Sequence, residues 1–388
     1  MVSLIALFIL NFPGVILMNV LTLTNEFEEE NFGGAGTAAT GMLYMLDRLG
    51  VQQTIIVPRS DWNVPRWVSR GRQMKVLGLP RNAYYFGYLG MIKADVVRQE
   101  FPELNQAWDL IHIHAINFTP LAYTLSAGVI AILYSVYSFL RKELEDRPEP
   151  ELQAQFKIQE ELLMRCQRIQ LISQSEKNYL AGRFWQYLTK TEVLPIGNSW
   201  PTERWLPGNV NEFLYVGRLL DYKGIEDLIQ AMSLIQQSGR QIHLNIIGKG
   251  SDQYEAYLRK LVQSKRLGVL IKFHGWMPSA EVRRWMGRAG CLVVPSRREA
   301  YGMVALEGMS IGIPIIASRA GGLEELVSNV ALTFEAGNVN QLAGAIRTAL
   351  NNPHRLQTLA ARGRERALMF EWDQLAPRYL RVMEEMKR

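Results

Sequence analysis

The chain has 388 residues, of which 48% are hydrophobic and 21% are charged, as expected for a globular protein with more than one core. Its two cysteines exclude a disulfide framework, and its five histidines show no zinc-type spacing with them, so we predict a protein of the reducing cytoplasm. The net charge of +6 comes from the carboxyl-terminal half, which favours an anionic ligand such as a nucleotide, or an anionic membrane surface. No motif of a nucleic-acid-binding module is present, so nucleic acid is not expected as a partner.

The amino terminus begins with a long uncharged stretch that ends at Glu26. No basic segment precedes it, as one would in a signal peptide, and Pro13-Gly14 interrupts it before it is long enough to span a bilayer. We predict a buried strand at residues 15–24 and an additional leader at residues 1–14. Translation from Met18 would leave residues 1–17 out of the native protein, and a membrane-anchoring leader is the alternative.

Strands and helices alternate along both halves of the chain. In the first half we predict strands at residues 15–24, 53–57, 76–79, 108–114, 130–136 and 169–173, and helices at 36–49, 121–127 and 150–168. In the second half we predict strands at residues 213–216, 243–247, 271–274, 291–294, 313–317 and 331–334. Residues 195–212 have the composition of a linker. The alternation predicts two doubly wound α/β domains.

Two acids in the segment 295–327 are candidate sugar-binding residues. Glu299 follows a predicted buried strand, and Glu307 lies about two turns into the next predicted helix. Open α/β sheets bind ligands where their strands end, and a carboxylate there can accept hydrogen bonds from sugar hydroxyls. Two acids eight residues apart are more often unrelated surface residues. The flanking P-S-x-x-E-x-x-G and G-G-x-x-E patterns nevertheless favour a binding site.

Basic residues follow the first strand of the second half. Arg218 comes directly after that strand, and Lys223 precedes an amphipathic helix. Cations beside a helix start can neutralise a diphosphate, although exposed lysines and arginines are more often solvated surface charges. The sequence Gly248-Lys249-Gly250 ends another strand and would let the backbone approach a nucleotide closely, or would form an ordinary turn.

These segments resemble those of the retaining glycosyltransferases with the GT-B fold, in particular family 4. The similar elements are the acid-containing segment 295–327 and FLYVGRLLDYKGIEDLIQA, LNIIGKGSDQ, IKFHGWMP and GGAGT. The resemblance covers most of the chain from Val15 onwards. It implies two facing Rossmann-like doubly wound α/β domains with a cleft between them. Residues 1–199 would bind the acceptor, residues 200–370 the nucleotide-sugar, and a helix at 371–388 would cross back to the first domain.

The resemblance also implies an activity. The expected enzyme moves a sugar from a nucleoside-diphosphate sugar (UDP most often, GDP or ADP as alternatives) to a hydroxyl acceptor, with no metal, no cofactor and no protein nucleophile. Glu299, Arg218 and Lys223 would be the catalytic residues, and Glu307 would bind the ribose hydroxyls. The donor-binding residues that it implies are Gly34, Tyr137, Gly248, Lys249, Gly250, Trp276, Met277, Gly302, Met303, Val304 and Glu307.

One residue departs from the family pattern. Tyr137 stands where relatives carry a histidine beside the donor sugar, and a phenol does not share the pKa of imidazole. A changed sugar preference or weakened catalysis is therefore expected. The alternatives are a sugar-nucleotide-binding protein without transfer, and a phosphorylase or epimerase with the same fold.

The acceptor is the least defined partner, and a glycan, a small molecule and a lipid all remain open. The segment 59–98 mixes basic and aromatic residues. It is either a solvated loop or a surface for anionic lipids, which would place the protein at the inner face of the membrane.

Overall fold

The computed structural model of the protein describes residues 18–28, 33–134, 150–198 and 204–387. Within them the chain forms two compact α/β units. The first contains the described residues up to Gly197 together with the last helix, which starts at Trp372, and the second runs from Asn198 to Glu371. The leader predicted at residues 1–14 and the candidate Tyr137 lie outside the described residues.

The first unit is built on an eight-stranded sheet, counted over the described residues. Its strands are β1 (Asn19–Leu23), β2 (Gln52–Arg59), β3 (Arg66–Arg70), β4 (Met74–Pro80), β5 (Leu110–Ile113), β6 (Gly128–Leu133), β7 (Arg168–Leu171) and β8 (Thr191–Val193). The spatial order is β3-β4-β2-β1-β5-β6-β7-β8, and all neighbours are parallel except β3 and β4. Because the winding direction of the chain reverses between β1 and β5, their carboxyl ends form a switch point, where such sheets bind ligands.

Helices cover both faces of this sheet. They are α1 (Gly34–Arg48), α2 (Ala94–Glu100), α3 (Thr119–Ala122), α4 (Pro150–Arg165) and α5 (Gln174–Phe184). Leu21, Leu23 and Ile111 pack into the core on one face of the sheet. On the other face, Thr22 and His112 are also buried, and desolvation lowers the pKa of His112 to about 4.

The second unit is built on six parallel strands, counted in the same way. They are β9 (Asn209–Val216), β10 (His243–Ile247), β11 (Ile271–Gly275), β12 (Ala289–Val294), β13 (Ile315–Arg319) and β14 (Leu332–Glu335), in the spatial order β11-β10-β9-β12-β13-β14. This is the Rossmann order, so β9 and β12 lie side by side although β10 and β11 separate them in sequence. The carboxyl ends of β9 and β12 therefore mark the switch point of the second unit.

Among the described residues of this unit, five helices connect the strands and two follow the last strand. They are α6 (Ile225–Gln237), α7 (Asp252–Ser264), α8 (Ser279–Arg288), α9 (Met303–Ile311), α10 (Gly322–Val327), α11 (Val339–Asn351) and α12 (Pro353–Leu368). Helix α6 forms because Ile225, Leu228 and Ile229 recur at helical spacing and bury one face.

The last helix, α13 (Trp372–Lys387), belongs to the first unit. The indole of Trp372 packs directly on Gly41 of α1 and on Gly197, where a side chain would overlap it. The hydroxyl of Tyr379 accepts a hydrogen bond from Gln170 Nε2 at 3.0 Å and donates one to the carbonyl oxygen of Pro195 at 3.0 Å. No helix among the described residues is long and apolar enough to cross a membrane.

Several predicted boundaries were wrong. Strands β3 and β8 were not predicted, because β3 begins and ends with an arginine and β8 has only three residues. Arginines at both ends suit β3, which is an exposed edge strand, and charges there oppose pairing with other chains. Strand β9 begins at Asn209, inside the predicted linker, because its first residues are polar and exposed. The helix predicted at 121–127 ends at Ala122.

Candidate functional site

Lys223 and Glu299 meet at the switch point of the second unit. Lys223 ends a single 3₁₀ turn (Asp221–Lys223) between β9 and α6, and Glu299 follows β12. Lys223 Nζ donates to Glu299 Oε2 at 2.7 Å, and Ser296 Oγ donates to the same oxygen at 3.1 Å. The two side chains are 19% and 16% exposed. A cation and an acid that were predicted from separate motifs are thus a partly buried ion pair.

A loop clamp, which we define as Tyr222, Asp227 and Arg297, holds the two loops together. The backbone N–H of Arg297 donates to the carbonyl oxygen of Tyr222 at 2.7 Å. Its guanidinium donates to both carboxylate oxygens of Asp227, at 2.8 and 2.7 Å. Arg297 and Asp227 were not identified from the sequence. Asp227 could have been identified from the sequence because it is an acid on the apolar face of α6, and in the structure it is buried there.

Arg218 follows the end of β9 and lies beside Tyr222, whose ring two other cations also approach. Its guanidinium is 3.4 Å from the hydroxyl of Tyr222. Lys223 Nζ and the guanidinium carbon of Arg298 lie 5.5 and 5.6 Å from the centroid of the Tyr222 ring. Arg218, Lys223 and Arg298 thus bring three cations to Tyr222, and such a group of cations suits a diphosphate.

The glycine turn after β10 brings the ends of β9 and β10 into direct backbone contact. Gly248 has φ 149°, and a Cβ atom there would overlap the carbonyl oxygen of Gly217. Leu219 N donates to the carbonyl oxygen of Lys249 at 2.9 Å, and a Cβ on Gly250 would overlap Leu219. The side chain of Lys249 is exposed. Glycine is thus needed here for close packing of the two turns.

Trp276 and Met277 follow β11. The indole of Trp276 is 68% exposed, whereas Met277 is half-buried. His274, at the end of β11, pairs through Nε2 with Asn245 Oδ1 at 2.8 Å. Desolvation and then the neighbouring Lys272 lower its pKa. His274 is therefore engaged within the unit, and Trp276 presents the exposed aromatic surface.

Gly302, Met303 and Val304 form the start of α9. Gly302 caps the helix with φ 102°, a left-handed conformation that favours glycine. The first N–H groups of a helix have no partner within it and carry partial positive charge, so those of Met303 and Val304 can bind an anion. Glu299 is also bonded to the start of α10, because its carbonyl oxygen accepts a hydrogen bond from Gly322 N at 3.0 Å.

Glu307 is the fifth residue of α9, little more than one turn into the helix rather than two. It is only 8% exposed. Desolvation raises the pKa of this carboxyl to about 8, and the charge of Arg283 opposes the shift. At neutral pH the carboxyl is largely protonated, so it can both donate and accept a hydrogen bond.

The raised pKa of Glu307 predicts a pH-dependent stability. Between about pH 4.5 and about 8 the unfolded chain loses this proton while the folded chain keeps it, so the free energy of unfolding falls as pH rises. Each pH unit within that window costs about 1.4 kcal/mol. Glu307→Gln should remove this decline. The difference in the free energy of unfolding between the variant and the wild type, measured by urea unfolding, should therefore shift in favour of the variant by roughly a few kcal/mol from pH 5 to pH 8. Glu365→Gln, on the exposed side of α12, is the control, and parallel pH curves for wild type and Glu307→Gln would contradict the assignment.

Gly34 and Tyr137 are the two remaining candidates. Gly34 is the first residue of α1, in the first unit, and Gly33 before it is extended, a conformation that any residue adopts. Tyr137 is outside the described residues. Among the residues that the structure describes, no group of three or more histidines, cysteines or acids is placed to hold a metal ion.

The second unit is the part of the chain whose sequence matches known proteins most directly. Residues 200–366 match the family model "Glycosyl transferases group 1". The glycogen synthase of Mycobacterium tuberculosis is 33% identical over 180 residues, which are 46% of this chain and 43% of that protein. The chain therefore matches less than half the length of this curated relative.

Solved structures resemble the whole chain. A sucrose-phosphate synthase from Thermosynechococcus elongatus aligns with a TM-score of 0.77 and 22% identity, over 95% of this chain and 98% of that one. The Anabaena protein HepE, in complex with UDP-glucose, aligns with a TM-score of 0.73 and 17% identity, over 95% of this chain and 100% of that one. At these identities the likeness shows the fold, and it confirms the predicted GT-B fold with two Rossmann-like units.

Proposed function

We propose that the protein is a glycosyltransferase that moves a sugar from a nucleoside-diphosphate sugar to a hydroxyl acceptor, with retention of configuration. The observation that carries this proposal is the Lys223–Glu299 pair at the switch point of the second unit. The match of residues 200–366 to the glycosyl transferases group 1 model supports it.

Different residues of the second unit would act on the diphosphate and on the sugar of the donor. Lys223, Arg218 and the start of α9 neutralise the diphosphate, whose negative charge grows as its bond to the sugar breaks. Glu299 accepts hydrogen bonds from sugar hydroxyls and fixes the sugar. The leaving phosphate oxygen takes the proton of the acceptor hydroxyl, and the new glycosidic bond forms on the same face of the sugar. The protein then contributes position and charge, without a protein nucleophile.

The same cations make a divalent metal unnecessary, so we propose a metal-independent reaction with no other cofactor. For the donor we propose a uridine diphosphate sugar, because HepE, which shares the fold, was solved with UDP-glucose. Glu307 would bind the ribose hydroxyls, and Trp276 and Met277 would flank the base. Gly34 and Tyr137 stay donor-binding proposals from the resemblance. We further propose a cytoplasmic protein that associates with the inner face of the membrane through the basic and aromatic segment 59–98.

Donor cleavage in water is the direct test, since it needs no acceptor. UDP-, GDP- and ADP-sugars are incubated with the purified chain in the presence of EDTA, and the released nucleoside diphosphate and the anomer of the free sugar are measured. We expect release from a UDP-sugar with retained configuration. Calorimetric binding of a sugar nucleotide without cleavage or transfer would favour a binding protein instead, and isomerised donor or phosphate-dependent cleavage would favour an epimerase or a phosphorylase.

A further inference from the structure

The first unit contains a cavity at its own switch point. It has a volume of about 670 Å³ and lies where β1, β2, β4 and β5 end. Polar side chains form much of its wall, together with an aromatic one: Asn25, Arg81, Asn82, Asn117, Gln155 and Phe86. Doubly wound sheets bind ligands at this position, so the cavity is placed to bind a second substrate.

Asn117 gives this cavity a fixed polar wall. The residue is 9% exposed, and its Nδ2 donates to Asn25 Oδ1 at 2.9 Å and to the carbonyl oxygen of Gly90 at 3.3 Å. Its Oδ1 is buried and accepts no hydrogen bond from any described residue. A buried acceptor without a donor is costly, and a ligand hydroxyl that reached this oxygen would remove that cost.

The neighbouring part of the wall is a loop with an unusual backbone. Leu89 and Gly90 both have positive φ, 56° and 68°, and a leucine rarely adopts this conformation. The loop is nevertheless closed by backbone hydrogen bonds, from Gly87 N to the carbonyl oxygen of Met91 at 2.7 Å and from Ile92 N to that of Asn117 at 2.9 Å. Backbone strain of this kind is typical of ligand-binding loops, because the surrounding structure must hold it.

The charge of the wall indicates the kind of ligand. None of the described residues that line the cavity is acidic. Arg81 Nη2 donates to the carbonyl oxygen of Asn25 at 3.1 Å, and no ion pair joins the guanidinium to another described residue. Because the guanidinium of Arg81 is held at one nitrogen, its other N–H donors can bind a phosphate. The carboxamides of the wall can hydrogen-bond to hydroxyl groups. The ring of Phe86 can pack on the apolar side of a sugar ring.

We infer that this cavity binds the acceptor, and that the acceptor is a polyhydroxylated molecule that carries a phosphate group. This rests on the proposed function, because only a transferase needs an acceptor. The phosphate would bind Arg81, and a hydroxyl would donate to Asn117 Oδ1. A free sugar phosphate and a phosphoinositide headgroup share this chemistry.

Binding and transfer are measured with matched pairs of acceptors: glucose and glucose 6-phosphate, and myo-inositol and myo-inositol 1-phosphate. We expect the wild type to bind a phosphorylated member about 10- to 100-fold more tightly than its neutral partner, as a charge-assisted contact provides. Arg81→Gln should lose this preference and keep donor cleavage. Lys75→Gln is the matched control, since Lys75 is an exposed cation near the other end of the same strand, β4.

A lipid source is tested with phosphatidylcholine vesicles that contain or lack phosphatidylinositol. Transfer to the vesicles with phosphatidylinositol, and not to free phosphates, would assign the headgroup as the acceptor. Equal binding of neutral and phosphorylated sugars, or equal losses in Arg81→Gln and Lys75→Gln, would overturn the inference. Loss of donor cleavage in the wild type itself would instead refute the proposed function.

Discussion

Glu299→Gln is expected to lower the rate of donor cleavage by about 10²–10³-fold, because preorganised polar groups at the reacting centre contribute on this scale. Glutamine has nearly the same shape, but its amide has only one acceptor oxygen and places an NH₂ group near the other carboxylate position. Glu299 Oε2 already accepts hydrogen bonds from Lys223 and Ser296. The amide oxygen of the variant can take the place of Oε2 and keep both hydrogen bonds. The loss therefore falls on the negative charge opposite Lys223 and on the Oε1 position, where an NH₂ group cannot accept a hydrogen bond from a sugar hydroxyl.

Lys223→Gln should act on a different step. It removes the cation that we assign to the diphosphate and leaves Glu299, which is 16% exposed, without its counter-charge. We expect weaker UDP binding as well as slower cleavage, whereas Glu299→Gln should mainly lower kcat and leave the Kd for UDP nearly unchanged.

The controls are Glu365→Gln and Lys260→Gln, exposed residues of α12 and α7 in the same unit. Steady-state cleavage of UDP-sugars gives kcat and KM, and calorimetry with UDP gives Kd. Wild-type turnover in both site variants would show that the Lys223–Glu299 pair is not the reacting centre.

The meeting of Lys223 with Glu299 could be anticipated because each residue follows a buried parallel strand. Parallel strands end at a common edge of the sheet, so residues 76 positions apart in sequence can become neighbours. Sequence periodicity located the strands of the second unit to within a few residues, apart from the start of β9. The glycines at 248 and 302 could be anticipated in the same way, since turns with positive φ favour glycine.

The position of Asp227 on the apolar face of α6 could be anticipated, but its pairing with Arg297 could not, because the pairing depends on which side chains pack together. Asp227 lies in an amphipathic helix, where an acid usually faces solvent, and Arg297 lies in a loop with a second arginine beside it. Nothing in the local sequence distinguishes Arg297 from Arg298. Only the folded chain shows that Arg297 binds Asp227 with both donors while Arg298 lies over the ring of Tyr222.

The loop clamp should matter for both stability and catalysis, and its two charged members should differ in cost. Arg297→Gln leaves Asp227 buried without a counter-charge, since the side chain of Asp227 is 5% exposed. Removal of one partner of a buried ion pair is expensive, so we expect a loss of about 3 kcal/mol in the free energy of unfolding. Asp227→Asn should cost less, about 1–2 kcal/mol, because Arg297 is 39% exposed and can still be hydrated.

The double variant Asp227→Asn, Arg297→Gln should be more stable than the sum of the two single losses predicts, because it leaves neither Asp227 nor Arg297 as a charge without its partner. Both single variants should also lower kcat for donor cleavage while they retain UDP binding, since the loop that carries Glu299 would lose its attachment to α6 but Lys223 and Arg218 would stay. Urea unfolding and donor-cleavage kinetics of the three variants measure these effects. Additive stability losses together with unchanged kcat would show that Arg297 does not position Glu299.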